Sequence, residues 1–281
     1  MANPVTRSAI LRVTFVCSLL IFWSLPTAAQ TPSLYAQSIQ TALASTTPNL
    51  EILLLDLRTR ETLADTFAQP TVPIPAGSLL KPFLALAYAR AHPGAFPTVV
   101  CHGHPDRCWK PAGHGLMDLP NAIANSCNAY FLSLARNLTP DGIAAIPYLP
   151  PPPPDPSPET LIGLTPDWPI APATLAAAYA QLLAAPAGQT RSDILTGMRA
   201  SADHGTAFHI GRHPGGVLAK TGTAPCIDRH CAASGDGLVI AAFPAVHPTL
   251  LLLVRKRATT GSMTAASASR ILTQLEGLHA E

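Results

Sequence analysis

The chain has 281 residues, of which 48% are hydrophobic and only 12% are charged. Its 18 basic and 16 acidic side chains leave a formal net charge of +2. A nearly neutral chain gives no electrostatic reason to expect nucleic acid or an acidic surface as a partner. The length suits one large domain with a substantial core, preceded by a short leader.

The N-terminal segment has the layout of an export signal. Two arginines precede an apolar run at 13–25, and the small residues after it are consistent with cleavage before Gln30. The run is shorter than the roughly 20 residues that span a bilayer, which favours removal, but an uncleaved inner-membrane anchor stays open. We therefore expect a signal peptide or anchor at 1–29 and an exported, periplasmic or extracytoplasmic domain at 30–281.

Hydrophobic periodicity and turn residues divide this domain into helices and strands. Strands near both ends, with helices between them, predict an α+β fold. Its antiparallel sheet would combine N- and C-terminal segments beside an all-helical lobe, with a ligand cleft at the junction. The predicted elements are a helix at 32–46, strands at 49–57 and from Thr62, a helix at 78–91, a helix, break and helix at 118–138, a proline-rich loop at 148–158, helices at 172–184 and 192–202, strands at 216–224, 237–243 and 249–257, and a helix from 261 to about 278.

Three short motifs occur in order along the chain: Ser78-Leu79-Leu80-Lys81, Ser126-Cys127-Asn128 and Lys220-Thr221-Gly222. They match the S-x-x-K, S-x-N and K-T-G set of serine β-lactamases and penicillin-binding proteins. The chain holds only four lysines, and two of them fall inside the motifs. The ordered set is therefore far more specific than any one motif, each of which alone is better explained as a helix start, a helix cap or an edge strand blunted by lysine.

The motifs supply the groups that acyl transfer needs. Ser78 and Lys81 are three residues apart on one predicted helix, so they share a face. A serine hydroxyl needs a nearby base, and lysine can serve if burial and a second cation lower its pKa. Lys220 is the candidate for that second cation. Ser126 is the candidate proton shuttle between the two lysines and the leaving amine.

Other motif residues suit the binding of an extended peptide. Asn128 offers an amide to a substrate carbonyl, and the Lys220 charge and the Thr221 hydroxyl suit a substrate carboxylate. Gly222 lets a substrate approach the strand edge and add to it through main-chain hydrogen bonds. The backbone N–H groups of Ser78 and Thr223 would then form the oxyanion hole.

The motifs and the segments between them resemble the transpeptidase domain of penicillin-binding proteins, over about residues 48–275. The likeness includes the segment 108–131 that leads into S-x-N, Leu164-Thr165-Pro166, and Gly205-Thr206-Ala207. It implies a five-stranded antiparallel sheet with flanking helices and a helical lobe. It also implies an acyl-enzyme on Ser78, formed with the D-Ala-D-Ala ends of peptidoglycan stem peptides and trapped by β-lactams. Other cell-wall synthesis proteins are candidate partners, and the chain would be a minimal catalytic domain.

Two rival functions stay open. A class A β-lactamase needs a deacylating glutamate, for which Glu159 is the only acid in a suitable place, although the following residues lack the expected asparagine. A class D enzyme would use a carboxylated lysine in an apolar pocket, but usually carries S-x-V. The second rival is a non-catalytic domain that senses β-lactams or muropeptides, and it would need a coupled effector.

The cysteines predict two disulfides in an exported chain. Cys101 and Cys108 are close enough in sequence to close one small loop, and Cys226 and Cys231 to close another. Cys127 is then left over, and we expect it to be a small packed residue.

A zinc site in the first of these loops is the alternative. Cys101, His102, His104 and Cys108 have the side chains that zinc prefers. Their spacing matches no common zinc motif, however, and a disulfide would remove two of the ligands. We therefore predict no metal and no cofactor, and a structural hydrogen-bonding role for His114.

Overall fold

The computed structural model describes residues 33–94, 96–225 and 235–278. The segment 1–29, which the sequence predicts to be a signal peptide or anchor, lies outside the described residues, as does the predicted Cys226–Cys231 disulfide. Within the described ranges, no helix is both long enough and apolar enough to span a membrane.

The predicted elements recur in the structure with shifts of a few residues at their ends. The described α-helices are α1 Leu34–Thr46, α2 Lys81–Ala91, α3 Leu119–Ala124, α4 Asn128–Arg136, α5 Pro140–Ala144, α6 Pro158–Leu161, α7 Pro172–Ala184, α8 Gln189–Asp203 and α9 Gly261–Leu278. The described strands are β1 Glu51–Asp56, β2 Thr62–Asp65, β3 Ile74–Pro75, β4 Val99–Cys101, β5 Gly115–Met117, β6 Pro169–Ile170, β7 Leu218–Ala224, β8 Asp236–Phe243 and β9 Leu250–Lys256. Short 3₁₀ turns occur at Gly77–Leu80, His104–Asp106 and Phe208–Ile210.

A five-stranded antiparallel sheet has the strand order β2-β1-β9-β8-β7. Its N-terminal strands β1 and β2 join the C-terminal strands through the β1–β9 pair, where Leu53 lies opposite Leu253. This confirms the predicted sheet from the two ends of the domain. It leaves β7, which carries the K-T-G motif, at one edge of the sheet.

The sheet separates two hydrophobic cores, because successive side chains of a strand point to opposite faces. In β9, Leu251 and Leu253 pack into the core that contains α2, α4 and α7. Leu252 and Val254 pack instead against α1 and α9. Burial on both faces explains why β8 and β9 are almost continuously apolar, and it fixes their register.

The residues between β2 and β7 form a helical lobe that also contains two small antiparallel ribbons. One ribbon pairs β3 with β6, and the other pairs β4 with β5. The sequence analysis did not foresee these ribbons, because strands of two or three residues are too short to show a period. The β4–β5 ribbon matters for the site, since it leads directly to α3 and the S-x-N motif.

Candidate active site

All three motifs meet at one cleft between the sheet edge and the helical lobe. Its volume is about 510 Å³. One wall is β7, another is the turn before α2, and the third is the break between α3 and α4. The lining residues are Ser78, Trp109, Asn125, Ser126, Asn128, Leu164, His204, Gly205, Thr206, Thr221, Thr223, Thr260 and Ser262.

Ser78 lies in the 3₁₀ turn that runs into α2. Gly77 before it has a φ of +56°, and a Cβ atom there would stand 2.9 Å from the Thr223 backbone, so only glycine permits this approach. From the other side, the buried Tyr179 hydroxyl donates a 2.8 Å hydrogen bond to the Leu79 carbonyl. The turn is thus held against β7 with Ser78 half-buried at the cleft. Within the described part of the chain, no hydrogen bond engages the Ser78 hydroxyl.

Lys81 is fully buried at the first turn of α2. Its Nζ donates to the Ser126 carbonyl at 2.8 Å and to Asn128 Oδ1 at 2.6 Å. A longer contact of 3.4 Å reaches Ser126 Oγ. The first and second motifs are therefore linked through one amine.

Lys220 is also fully buried, and it approaches the same serine from β7. Its Nζ donates to Ser126 Oγ at 2.8 Å and to the Thr221 carbonyl at 2.8 Å. Ser126 has a φ of +50°, a conformation uncommon for a residue other than glycine, and it is only 5% exposed. Its hydroxyl oxygen accepts the short hydrogen bond from Lys220, so its own proton remains available to a group in the cleft.

Burial changes the proton affinity of both amines. Desolvation lowers the pKa of Lys81 from 10.5 to about 7. The pKa of Lys220 falls well below its ordinary value, because of burial and then because of the positive charge of Lys81. Burial therefore favours the uncharged form of both amines, and a positive charge on Lys81 further disfavours one on Lys220.

Three of the four predicted substrate-binding residues line the cleft, and each of the three has a protein partner. Gly222 does not line it, because a Cβ there would stand 3.0 Å from the Ala76 carbonyl oxygen, so this glycine packs against the turn before α2. Asn128 Nδ2 donates to the Arg107 carbonyl at 3.0 Å, which leaves its second N–H for a ligand. The Thr221 hydroxyl donates to Thr206 Oγ1 at 2.7 Å. Thr223 Oγ1 accepts from the backbone N–H of Gly261 at the start of α9.

Several cleft residues were not predicted to have a role. Thr206 appeared only within the Gly205-Thr206-Ala207 likeness, yet its hydroxyl bonds Thr221 and its backbone N–H donates to the Ala124 carbonyl at 3.0 Å. Trp109 is 53% exposed, and its indole N–H donates to the Asn125 carbonyl. No local pattern marks such residues, because they reach the cleft from loops that are distant in sequence.

The structure disfavours both of the β-lactamase mechanisms considered from the sequence. Glu159 is hydrogen-bonded to Arg107 and does not line the cleft, and none of the described lining residues carries a carboxylate. The Lys81 amine faces two acceptor oxygens and needs at least two N–H donors for them. A carboxylated lysine keeps one N–H, so it would leave a buried acceptor unsatisfied.

The predicted disulfide between Cys101 and Cys108 is wrong, because both are free thiols, as is Cys127. Their sulfurs instead approach the His114 ring. Cys101 Sγ lies 3.5 Å and Cys108 Sγ 3.4 Å from His114 Nδ1, and Cys108 Sγ lies 3.9 Å from Cys127 Sγ. The donor atoms of all four residues lie within 4.8 Å of one another, so these side chains could hold a metal ion. The ligand set considered from the sequence does not form, because His102 pairs with Asp106 and is exposed.

Comparisons with known proteins identify the fold. No family model matches the chain, and no curated protein matches it either. Among solved structures, the chain is similar to PBP2 in a complex of penicillin-binding protein (PBP2) and MreC from Helicobacter pylori, with a TM-score of 0.72, 16% identity, and coverage of 86% of this chain and 62% of that one. PBP2 from Pseudomonas aeruginosa gives a TM-score of 0.69 and 18% identity over 85% of this chain and 76% of that chain. The TP domain of Burkholderia pseudomallei penicillin-binding protein 3 gives 0.65 and 17% over 87% and 93%.

These likenesses show that the described domain has the fold of penicillin-binding protein transpeptidase domains. The chain spans less than two thirds of the length of the Helicobacter pylori protein that it matches.

Proposed function

We propose that this chain is a serine acyltransferase, a D,D-transpeptidase or D,D-carboxypeptidase, that acts on the D-Ala-D-Ala ends of peptidoglycan stem peptides. It would form a covalent acyl-enzyme on Ser78, and β-lactams would acylate the same hydroxyl. One observation carries the proposal: the buried hydrogen-bond chain Lys81–Ser126–Lys220 lies beside an accessible serine in a cleft bordered by an edge strand. No cofactor or metal takes part in this chemistry.

Lys81 is the general base for Ser78. A neutral lysine amine has two N–H donors and one lone pair. The two donors match the two short contacts to the Ser126 carbonyl and to Asn128 Oδ1. The lone pair is then left for the Ser78 hydroxyl one helical turn away. Lys81 takes the hydroxyl proton while the Ser78 oxygen attacks the scissile carbonyl.

Ser126 completes proton transfer to the leaving group. When the tetrahedral intermediate collapses, the C–N bond breaks and the amine of the terminal D-Ala leaves with the Ser126 proton. Ser126 recovers a proton from Lys81, directly or through Lys220, because both amines contact its oxygen. Water or an acceptor amine then attacks the ester, and these transfers run in reverse order.

The edge of β7 holds the substrate. An extended stem peptide would pair with free backbone groups of this strand, and the backbone N–H groups of Ser78 and Thr223 would bind the oxyanion. The terminal carboxylate would lie against the hydroxyls of Thr221 and Thr223. Because Thr221 donates its proton to Thr206, binding a carboxylate requires that proton to turn toward the ligand.

Peptidoglycan as substrate implies an extracytoplasmic location, in agreement with the predicted export signal. Partners are proposed in the same way. A structurally similar PBP2 has been solved in complex with MreC, and another similar chain belongs to a peptidoglycan synthase complex. We infer that this domain also works with cell-wall synthesis proteins.

Labelling with a fluorescent penicillin tests the proposal. The wild type should give a covalent band, and Ser78→Ala should give none. Ser38→Ala, on the exposed face of α1, is the matched control and should label like the wild type. A band that survives in Ser78→Ala would reassign the nucleophile, and absence of any wild-type band would refute acylation by β-lactams.

Turnover of nitrocefin separates the enzyme classes. A stoichiometric burst followed by slow release favours the transpeptidase or carboxypeptidase, because nothing in the described cleft is placed to activate water rapidly. Rapid continuous turnover would instead show a β-lactamase.

A further inference from the structure

One ion pair joins two segments that border the cleft. Arg107 belongs to the loop between β4 and β5, and Glu159 belongs to α6. The Arg107 guanidinium donates to the Glu159 carboxylate, whose side chain is only 17% exposed. Neither residue lines the cleft, and neither takes part in the acyl transfer described above. Their role must therefore be sought in what the two segments hold.

The backbone of Arg107 holds the amide of the S-x-N motif. Arg107 has a φ of +58°, which is uncommon for a residue other than glycine. Its carbonyl accepts the 3.0 Å hydrogen bond from Asn128 Nδ2. On the other side of the same amide, Asn128 Oδ1 accepts from Lys81 Nζ. An acceptor on one side and a donor on the other permit one orientation of the amide, and this orientation leaves one N–H for a ligand.

The Glu159 end of the pair is packed against the turn that carries the nucleophile. Gly163, just after α6, has a φ of +78°, and a Cβ there would stand 2.1 Å from the Gly77 carbonyl oxygen. Gly77 directly precedes Ser78. The Leu164 N–H donates to the Glu159 carbonyl at 2.9 Å, so Glu159 and Gly163 belong to one compact turn. The ion pair therefore connects the nucleophile turn to the loop that orients the asparagine of S-x-N.

We propose that Arg107 and Glu159 are positioning residues: their ion pair holds the Arg107 carbonyl where it orients the Asn128 amide. This inference rests on the proposed function, in which that amide binds a substrate carbonyl. Without the pair, less maintains the left-handed backbone at Arg107, and its carbonyl can move away from the amide. The substrate carbonyl is then bound more weakly. Because ion pairs with an exposed partner add little to stability, we expect the effect in the site and not in the free energy of unfolding.

The ion pair of Arg58 and Asp56 offers a matched control. It also joins an exposed arginine to a largely buried carboxylate, with side chains 73% and 10% exposed. It lies at the turn between β1 and β2, and neither residue lines the cleft. Arg58→Ala therefore removes a similar pair without touching the proposed connection.

Two penicillins test whether the pair acts through the amide. In one, the amino group on the β-lactam ring carries an acyl chain, whose carbonyl Asn128 would bind; in the other, that amino group is free. We expect Glu159→Ala and Arg107→Ala to slow acylation by the first penicillin about 5- to 10-fold. Acylation by the second should change less than about twofold. Arg58→Ala should match the wild type with both, as should Arg107→Lys, which keeps the charge pair.

The pattern across the variants decides the outcome. The double substitution of Arg107 and Glu159 by alanine should be no slower than either single one, because each removes the same connection. Equal slowing with both penicillins would show general damage to the site and would overturn the proposal. So would unchanged rates with both. Rates are taken per acylated serine, so that loss of folded protein does not count as slower acylation.

A second measurement does not depend on acylation. The side-chain amide of Asn128 gives a pair of nitrogen-correlated proton resonances, assigned by their absence from Asn128→Asp. We expect Glu159→Ala to shift them, Glu159→Gln to shift them less, and Arg58→Ala to leave them unchanged. Resonances that stay at the wild-type position in the folded Glu159 variants would contradict the proposal. If they shift but no penicillin acylates the wild type, the positioning role stands and the proposed acyl transfer fails.

Discussion

The pH dependence of acylation follows from the burial of Lys81. The base must be unprotonated, and its pKa is lowered to about 7 because burial disfavours the ammonium form. The unprotonated fraction is then about 0.9 at pH 8 and about 0.03 at pH 5.5. Acylation of Ser78 should therefore slow about 30-fold between these values, falling about tenfold per unit below pH 6. At pH 7, less than about a thousandth of a lysine with an ordinary pKa near 10.5 would be unprotonated.

The assay is the second-order rate of acylation by a chromogenic β-lactam, measured from pH 5.5 to 9. Circular dichroism at each pH shows that the fold is intact, and Ser78→Ala supplies the background. A rising limb with a midpoint near 7 is the expected result. A rate that stays level from pH 5.5 to 8, or that still rises tenfold per unit at pH 9, would refute Lys81 as a base tuned by burial.

Three further substitutions each test one contact of the structure. Lys81→Gln can still donate to both acceptors near Lys81, so it should unfold like the wild type in denaturant but acylate about 10²- to 10⁴-fold more slowly; near-normal acylation would mean that another base acts. Thr206→Val removes the hydroxyl that accepts from Thr221 and should slow acylation about 5- to 20-fold, against no change for the exposed Thr196→Val; equal rates would show that this contact does not matter. Phe83→Ala deletes a fully buried ring that packs edge-to-face on a tyrosine, and should lower the free energy of unfolding by about 3 to 5 kcal/mol; a loss below about 1 kcal/mol would contradict the packing described.

Sequence periodicity was sufficient for the longer helices and strands and for the parts of the site that are local. Ser78 and Lys81 are three residues apart, so a helix alone brings them together. The buried strands β8 and β9 are recognisable because a strand covered on both faces is apolar throughout. Pro82 was compatible with a helix only near its start, and it occupies the first turn of α2. In each case the signal lies within a few consecutive residues of the sequence.

What the sequence did not reveal depends on contacts between distant segments. Cys101 and Cys108 are close in sequence, and loop length alone favoured a disulfide between them. The actual geometry is set by the crossing at Gly103 and Gly113, which directs both sulfurs toward the His114 ring. Similarly, the hydroxyl of Thr221 contacts a threonine 15 residues away because α8 packs against β7, and no local sequence pattern predicts that contact.

The segment 126–128 connects the Lys81 amine to the group formed by Cys101, Cys108, His114 and Cys127. Ser126 and Asn128 both contact Lys81, and Cys127 between them contacts Cys108. The left-handed conformation of Ser126 is unfavourable for serine by about 1 kcal/mol or more, so surrounding contacts must maintain it. Cys127 is fully buried and its sulfur lies 3.9 Å from Cys108 Sγ, so this packing helps to hold the turn. Because both strong acceptors of Lys81 lie on this segment, a shift at Cys127 would move them together, and the amine would lose the arrangement that leaves its lone pair for Ser78.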